Sequence, residues 1–515
     1  MPPQKREWNT MELELEQTLV RGCACVAEST LFPEETLEMI VPDACPDIGR
    51  ILDTQAWVEL GSHTAGEGRM ELSGTVRAAV LYLPEGEEGP RKLEASIPFH
   101  CGGDSPRVTT SCTLTVQPRV EQAETRMLNP RKVLLRTALA LDVQGWLPQE
   151  EHWSSGVIGE GGETVEQLQE PCRTYGAVWV GEKPFSFEDE VALPGTRPVM
   201  ELLRYRLTPR CGEAKVIGSK LLFKGEAELS LLCREEEGNV RECCFQLPFS
   251  QILETGEAGE ECDCSVEVLP VSVSCELDGE GRNVHVVLEL LAQAVLREER
   301  SFSLLTDLYS TAWALEADPR PCTLEHRVDS SIRTQTVREV LECPVLPAEV
   351  VDARAYVGRT TQSREGSRLT LTAPVEVTVL FRDEDGALDV AVGHWEVPCT
   401  IEAEEAVNCR CHCRCPEPVG AAATASGVEV RFPVEFQCLL TRREERMGVS
   451  AARLDTETPR DSGPSIVLRL PQRGERLWDI AKCYGTTASE ICQANHLEEG
   501  TLPDGQLLLI PRTRA

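Results

Sequence analysis

One pattern recurs three times along this chain of 515 residues, at intervals of about 150 residues. Each copy contains a long run in which apolar and polar residues alternate, then an acidic turn with glycine, then an apolar residue followed by proline. The runs begin at Arg69, Lys220 and Arg368. Alternation with a period of two is typical of strands that bury one face. The chain is therefore predicted to contain three similar antiparallel β domains.

The similarity between the copies extends beyond these runs. Upstream, Leu52–Val58 parallels Val351–Val357, and Leu203 opens the corresponding stretch of the middle copy. Downstream, each copy has a cysteine-containing stretch and a last apolar strand; the cysteines are Cys112, Cys262, Cys264 and Cys409 to Cys415. Each copy needs roughly five to seven strands to bury a face, which predicts tandem antiparallel β-sandwich or barrel repeats.

The last fifty residues follow a different pattern. Ile466 to Leu470 alternates like a half-buried strand, and Leu477 to Tyr484 has apolar residues at helical spacing. Thr487 and Glu490 form a capping box at the start of a second helix. Leu507 to Ile510 is a final apolar strand. The order strand, helix, helix, strand predicts a small separate βααβ domain.

This C-terminal segment resembles a LysM domain. The matching positions are Gly474, Leu477, Trp478, Ile480, Ala481, Tyr484, Gly485, Asn495, Gly505, Gln506, Leu507, Ile510 and Pro511. The resemblance implies binding to the N-acetylglucosamine backbone of peptidoglycan or chitin, in a groove between the loops 474–477 and 496–503. The family usually has Gly-Asp-Thr or Gly-Asp-Ser where this chain has Gly474-Glu475-Arg476. Arg476 cannot cap the helix as a hydroxyl would, and we expect it to crowd the groove.

Charge and composition exclude several classes of partner. The formal net charge is −34, from 51 basic and 85 acidic residues, which argues against nucleic acid and anionic membranes as partners. The sequence has no apolar run long enough for a transmembrane helix, and the polar start, residues 1–16, does not suggest a secretory signal. In a large chain that is not expected to be secreted, the 23 cysteines are expected to be reduced thiols.

The three alternating copies, the apolar-Pro-Phe segments at Ile97–Phe99 and Leu247–Phe249, and the C-terminal LysM pattern together resemble the SipL-type spore morphogenesis proteins. These consist of SPOCS domains followed by a LysM domain. The resemblance implies a non-catalytic adaptor in the mother-cell cytoplasm, at the forespore surface. It also implies that the LysM domain contacts the coat ATPase SpoIVA, alongside other coat proteins, and so a protein instead of a glycan.

The predicted organisation is an N-terminal segment, three repeats, three linkers and the LysM domain. We refer to the repeats by number below. The ranges are 1–28 for the N-terminal segment, 29–146 for repeat 1, 147–185 for a linker, 186–300 for repeat 2, 301–325 for a second linker, 326–447 for repeat 3, 448–464 for a flexible linker and 465–515 for the LysM domain.

The cysteines leave two alternatives open. Cys409, Cys411, Cys413 and Cys415 alternate within seven residues, and thiolates are good zinc ligands. Strict alternation, however, favours small residues on the core face of one strand over the paired spacing of a zinc site. Cys483 and Cys492 lie on the two LysM helices, where packed thiols are favoured over a disulfide.

No catalytic motif, metal site or cofactor site is predicted. Besides the adaptor, two other functions are considered: a LysM protein that binds peptidoglycan at the cell wall, and a wall-lytic enzyme, for which no catalytic domain is visible. For partner binding, the sequence predicts a surface on the LysM loops and helices. Its residues are Gly474, Glu475, Arg476, Trp478, Asp479, Asn495, His496 and Leu497.

Overall fold

The computed structural model describes residues 10–86, 89–159, 164–256, 258–460, 464–472, 474–498 and 506–512. Strands account for 77% of the chain and helices for 4%. The prediction of a mainly β fold with a small C-terminal βααβ domain is therefore confirmed. None of the helices in these ranges has the length and apolarity needed to cross a bilayer.

Repeat 1 consists of two packed sheets, and the residues before it add β1, which lies outside both of them. The strands are β1 (Thr10–Glu12), β2 (Glu14–Leu31), β3 (Glu34–Ile40), β4 (Ile48–Gly66), β5 (Arg69–Pro84), β6 (Arg91–Asp104), β7 (Thr113–Asn129) and β8 (Lys132–Ile158). The sheet β4-β5-β6 covers β7 and β8. Leu72 and Val76 of β5 meet Leu135 and Leu139 of β8 in the apolar core. The alternating run that begins at Arg69 thus buries one face, as its period predicts.

Repeat 2 has the same two-layer arrangement. Its strands are β9 (Val165–Ala192), β10 (Val199–Ile217), β11 (Lys220–Glu235), β12 (Val240–Glu254), β13 (Asp263–Leu277) and β14 (Asn283–Ser310). The sheet β10-β11-β12 packs on β9, β13 and β14. Phe223 and Leu229 face Val286 and Leu288 across the layers.

Repeat 3 adds two strands of five residues to this plan. Its strands are β15 (Trp313–Leu341), β16 (Pro347–Val357), β17 (Thr361–Glu365), β18 (Arg368–Asp383), β19 (Leu388–Glu402), β20 (Val407–Arg414), β21 (Gly420–Thr424) and β22 (Gly427–Pro459). One sheet contains β16 to β19, and the other contains β15, β20, β21 and β22. Phe381 of the first sheet and Phe432 and Phe436 of the second are fully buried in the same core.

The segments for which the sequence predicts linkers are strands instead. Long two-stranded ribbons, β2 with β8, β9 with β14 and β15 with β22, continue out of the three repeats through 147–185, 301–325 and 448–459. They pack on one another around Trp153, Phe302 and Leu324, and further along around Leu13, Leu305, Leu308, Val449 and Leu454. We call this three-ribbon core the stem. Within the second of these segments, β14 ends at Ser310 and β15 begins at Trp313.

The three repeats meet at one buried junction. Leu81, Leu232 and Leu380, one from the central strand of each repeat, pack together there. Beside them lies an ionic cluster that also draws on all three repeats. Arg204 of repeat 2 bridges Asp53 of repeat 1 and Asp352 of repeat 3.

Further contacts complete this cluster, which we call the junction cluster. Arg354 donates to Asp53 Oδ1 at 2.7 Å, and Arg206 spans Asp352 and Glu242 at 3.3 and 3.0 Å. Its members are Asp53, Arg204, Arg206, Glu242, Asp352 and Arg354, so three carboxylates balance three guanidinium groups. The formal charges cancel, as buried charges require.

The LysM region follows the stem. It consists of β23 (Ile466–Arg469), α1 (Leu477–Tyr484), α2 (Ala488–Asn495) and β24 (Leu508–Pro511), and β23 pairs antiparallel with β24.

Candidate functional site: the docked LysM domain

Local sequence explains both helices of the LysM domain. Gly485 adopts a left-handed conformation, with φ of 68°, and ends α1. Thr487 accepts from Glu490 N at 3.0 Å while the Glu490 carboxylate accepts from Thr487 N, so the predicted capping box is present at α2. Arg476 precedes α1 without capping it through its side chain, as expected for a residue with no acceptor.

The core of the LysM domain is small and includes a residue of the stem. Ile480, Ile491, Leu508 and Ile510 are fully buried, and Tyr309 of β14 is part of the same cluster. The LysM domain therefore packs onto the stem, and Tyr309 of the stem completes the core of the LysM domain.

Polar contacts fix this docking. Trp478 Nε1 donates to Asp307 Oδ2 at 2.8 Å, and Lys482 Nζ lies 2.6 Å from Asp307 Oδ1. The rings of Trp478 and Tyr309 meet edge to face with centroids 4.9 Å apart. Tyr309 also donates its hydroxyl to Thr486 O at 2.7 Å. Burial raises the pKa of Tyr309, so the phenol stays protonated and remains a donor.

Arg460 joins the end of the stem to the C-terminus of α1. Its guanidinium donates to Ser310 O at 2.6 Å and to Lys482 O, and it lies 5.7 Å from the Tyr309 ring. A cation at this end of a helix satisfies carbonyls that have no partner within the helix. Within the segment predicted as a flexible linker, 448–464, residue 460 is thus held by a set of fixed contacts.

The first predicted loop is exposed but internally paired. Gly474 has φ of 85° and open space around it. Glu475 pairs with Arg469 and accepts from Gln472 N at 3.0 Å. Arg476 forms a two-pronged ion pair with Asp479, both contacts at 2.9 Å, and this hydrogen bonding lowers the pKa of Asp479. Arg476 is held along the first turn of α1 by this pair.

The second predicted loop is described only at its start, because residues 499–505 lie outside the described ranges. Asn495 donates to Ile491 O at 2.8 Å and to Leu509 O at 2.6 Å, and accepts from Leu509 N at 2.7 Å. Its amide is fully used in joining α2 to β24. His496 is exposed with φ of 54°, and Leu497 packs partly against the core.

The predicted site residues therefore divide into two groups. Trp478 faces the stem and Asn495 is committed to the fold. Gly474, Arg476 and His496 are exposed, and Glu475, Asp479 and Leu497 are partly so.

An apolar face of the LysM sheet was missed. The side chains of Ile466 and Leu468 in β23 point away from the core, whereas those of Val467 and Arg469 face inward. The alternation predicted that the apolar face of this strand is buried. This prediction is wrong, because the apolar face is exposed. The exposed fractions are 61% for Ile466, 63% for Leu468, 55% for Leu470 and 63% for Leu507. The residues on both faces of this short strand are apolar or have long side chains. The alternation alone therefore does not predict which face is buried.

The cysteine strand lies in repeat 3. Cys413 belongs to the core, and Cys409, Cys411 and Cys415 pack against it, as the alternation predicts. Cys411 Sγ lies 3.6 Å from both Cys413 Sγ and Cys438 Sγ. A hydrogen bond with Cys413 and burial both raise the pKa of Cys411. No group of three or more metal-binding side chains with suitable geometry occurs in the described ranges. All 23 cysteines are free thiols, including the exposed Cys483 and the buried Cys492.

Comparison with known families supports this architecture. A family model described as SipL, SPOCS domain, matches residues 47–128, and a LysM domain model matches residues 472–511. No curated protein and no solved structure matches the chain. SPOCS and LysM are non-catalytic binding domains. The chain thus contains one region similar to the SipL SPOCS domain and a C-terminal region similar to the LysM domain.

Proposed function

We propose that this protein is a non-catalytic adaptor in spore coat assembly. In this proposal it acts in the mother-cell cytoplasm and attaches the coat ATPase SpoIVA to the forespore surface through its LysM domain. The three repeats would hold other coat or surface proteins. The pairing of a SipL-type SPOCS domain with a LysM domain supports this function.

The observation that carries the proposal is the apolar face of the LysM sheet. Ile466, Leu468, Leu470 and Leu507 are each more than half exposed, in a sheet whose opposite face buries Leu508 and Ile510. Contiguous exposed aliphatic side chains are typical of protein contact sites. A hydrated sugar polymer has few apolar groups that could pack against such a surface. An apolar patch of a protein partner, in contrast, would bury it.

The alternative function is peptidoglycan binding, which the LysM family supports. Two of the residues predicted for the ligand surface are already engaged within the chain. Trp478 is bound to Asp307 and Tyr309, and Asn495 joins α2 to β24. Arg476 and Asp479 satisfy each other. Few of the predicted polar groups are left to bind a sugar, and this favours a protein ligand.

The test compares partner binding by the full chain and by an apolar-face variant. Leu468→Gln with Leu470→Gln should lower affinity for a SpoIVA-type ATPase at least tenfold, measured by biolayer interferometry. Both side chains are exposed, so folding should be unaffected. Ile217→Gln, which replaces an isoleucine of repeat 2 that is 52% exposed, is the control.

A second assay addresses the glycan alternative. Sedimentation with purified peptidoglycan should leave the full chain and Arg476→Ala in the supernatant. Peptidoglycan binding by the full chain, together with unchanged ATPase affinity of the double variant, would replace the adaptor with the glycan-binding function. Binding gained only by Arg476→Ala would show that this side chain blocks the groove.

A further inference from the structure

A large cavity lies where the three repeats meet. Its volume is about 1520 Å³, and its wall includes β7 of repeat 1, β13 of repeat 2 and β20 of repeat 3. It is separate from the LysM domain and from the apolar face. The proposed function makes no use of it.

The charges in the cavity wall differ from those of the whole chain. The chain has 85 acidic and 51 basic residues. The wall carries seven arginines, no lysine and six acidic residues. Arginine presents a planar set of donors that matches carboxylate and phosphate oxygens. A wall that concentrates arginine in so acidic a protein favours an anion as the occupant.

Arg297 is one of the arginines of the wall that form no ion pair with a described residue. No carboxylate lies within 4.0 Å of its guanidinium in the described ranges, and its contact there is with the Trp146 ring, 5.6 Å away. Burial lowers the pKa of Arg297, and the positive charge of Arg410 lowers it further. Two neighbouring cations with little counter-charge are a costly arrangement, which a bound anion would relieve.

The strand β20 brings two further arginines and His412 to the same space, and burial lowers the pKa of His412 so that it stays neutral. Arg410, His412 and Arg414 alternate with the cysteines that pack against the core, and residues of both sets line the cavity. The nearest acidic partner of Arg410 is Glu28, at 3.8 Å, which is beyond hydrogen-bond distance.

Other polar groups of the cavity wall also agree with an anion as the occupant. Asp142 already accepts from Thr30 and Arg119, and Asp263 from Tyr175, so these carboxylates are occupied. Gln293 is 4% exposed, and its amide nitrogen has no partner. A buried donor without an acceptor is rare and requires a reason.

We propose that this cavity binds a small multivalent oxyanion, one with carboxylate or phosphate groups, through Arg297 of repeat 2 and Arg410 of repeat 3. Arg119 of repeat 1 also lines the cavity, where it is paired with Asp142. The ligand would strengthen the arrangement of the repeats by binding only when they are assembled.

The test is isothermal titration of the full chain at low ionic strength with pyrophosphate and, separately, with citrate. We expect saturable binding of at least one probe, with one molecule per chain. Tighter binding of pyrophosphate would identify a phosphate ligand, and tighter binding of citrate a carboxylate ligand. Arg410→Gln and Arg297→Gln should each weaken binding at least tenfold.

The matched control is Arg338→Gln, which removes an exposed arginine that pairs with Glu429 outside the cavity. Its affinity should equal that of the unaltered chain. Circular dichroism checks folding, and Arg410→Gln keeps the test decisive if Arg297→Gln unfolds. Absence of saturable binding for both probes, or an equal loss of affinity in Arg338→Gln, would overturn the proposal.

Discussion

At some positions of this fold, the residue type is determined by how closely a neighbouring strand and an aromatic ring approach. Gly74 lies opposite Phe99 in the central hairpin of repeat 1. A Cβ at this position would lie 2.6 Å from Glu59 O and 2.8 Å from the Phe99 ring. In repeat 3 the equivalent residue is Ala373, and it lies opposite the smaller Val397. The glycine is therefore required by a close contact and not by its backbone angles.

Gly74→Ala should destabilise repeat 1. The added methyl group has to displace backbone or a buried ring, so we expect a loss of about 1–3 kcal/mol, measured as a lower midpoint in urea unfolding. Gly66→Ala is the control, because its Cβ would lie 3.7 Å from Arg69 O, an ordinary contact. Equal effects of the two substitutions would contradict the packing explanation.

Residues whose roles depend on near neighbours were predictable from the sequence. The capping box of Thr487 and Glu490 and the helix end at Gly485 follow from spacing within a few residues. The direction of Trp478 does not, because its partner Asp307 lies 171 residues earlier in the chain. The exposure of Leu468 likewise depends on which side of a two-stranded sheet the helices cover.

Elements were predicted well where alternation is clear and poorly where proline and glutamate interrupt it. The central hairpins of the three repeats lie where their alternating runs predict them. The stem ribbons were predicted as linkers because segments such as 147–185 and 301–325 contain prolines, which disfavour central strands. A two-stranded ribbon has an outer edge on each strand, so it tolerates such residues, and its burial comes from the other ribbons.

The docking of α1 on the stem gives a prediction for Asp307. Asp307→Ala removes the acceptor of Trp478 and the ion pair with Lys482. Hydrogen bonds to a charged group contribute about 1.5–3 kcal/mol, and partial exposure of this site favours the lower end. The LysM domain should stay folded but separate more often from the stem. Hydrogen exchange of the α1 amides should become faster.

Glu299→Ala provides the comparison for this experiment. Glu299 lies on the same strand, β14, and forms an exposed ion pair with Arg173 at 3.6 Å. Its removal should leave exchange in α1 unchanged. Unaltered exchange in Asp307→Ala would mean that Tyr309 and Arg460 alone hold the LysM domain in place.

At the scale of the whole molecule, the repeat pattern predicted three similar units but not how they meet. The junction cluster forms from positions that correspond between repeats: Asp53, Arg204 and Asp352 occupy the same place in the pattern. Opposite charges at equivalent positions allow three homologous units to pair in one arrangement. Such long-range pairing has no signal within any single repeat.

The junction cluster predicts a loss of stability in acid. Its guanidinium groups lower the pKa of Asp53 and Asp352 despite burial, that of Asp352 to about 2. A carboxyl whose pKa is lowered by folding stabilises the protein above its unfolded pKa, roughly 3.9, and this contribution is lost as pH falls through the folded value. Burial instead raises the pKa of Glu242, which works against stability as pH rises. The net stabilisation should therefore fall between about pH 4 and pH 2.

Asp352→Asn tests whether this cluster holds the repeats together. Asp352 is 4% exposed, and its loss leaves Arg204 and Arg206 with less counter-charge, so we expect destabilisation of about 3–5 kcal/mol at pH 7. The decline in stability between pH 4 and pH 2 should also be shallower, because one of its two main groups no longer titrates. Thermal unfolding across this pH range measures both effects.

Asp318→Asn, which breaks the exposed ion pair with Arg453, is the control. It should cost at most about 1 kcal/mol and keep the original pH profile. If the two variants behave alike, the repeats are held together by their apolar contacts, and the ionic cluster determines only which arrangement they adopt.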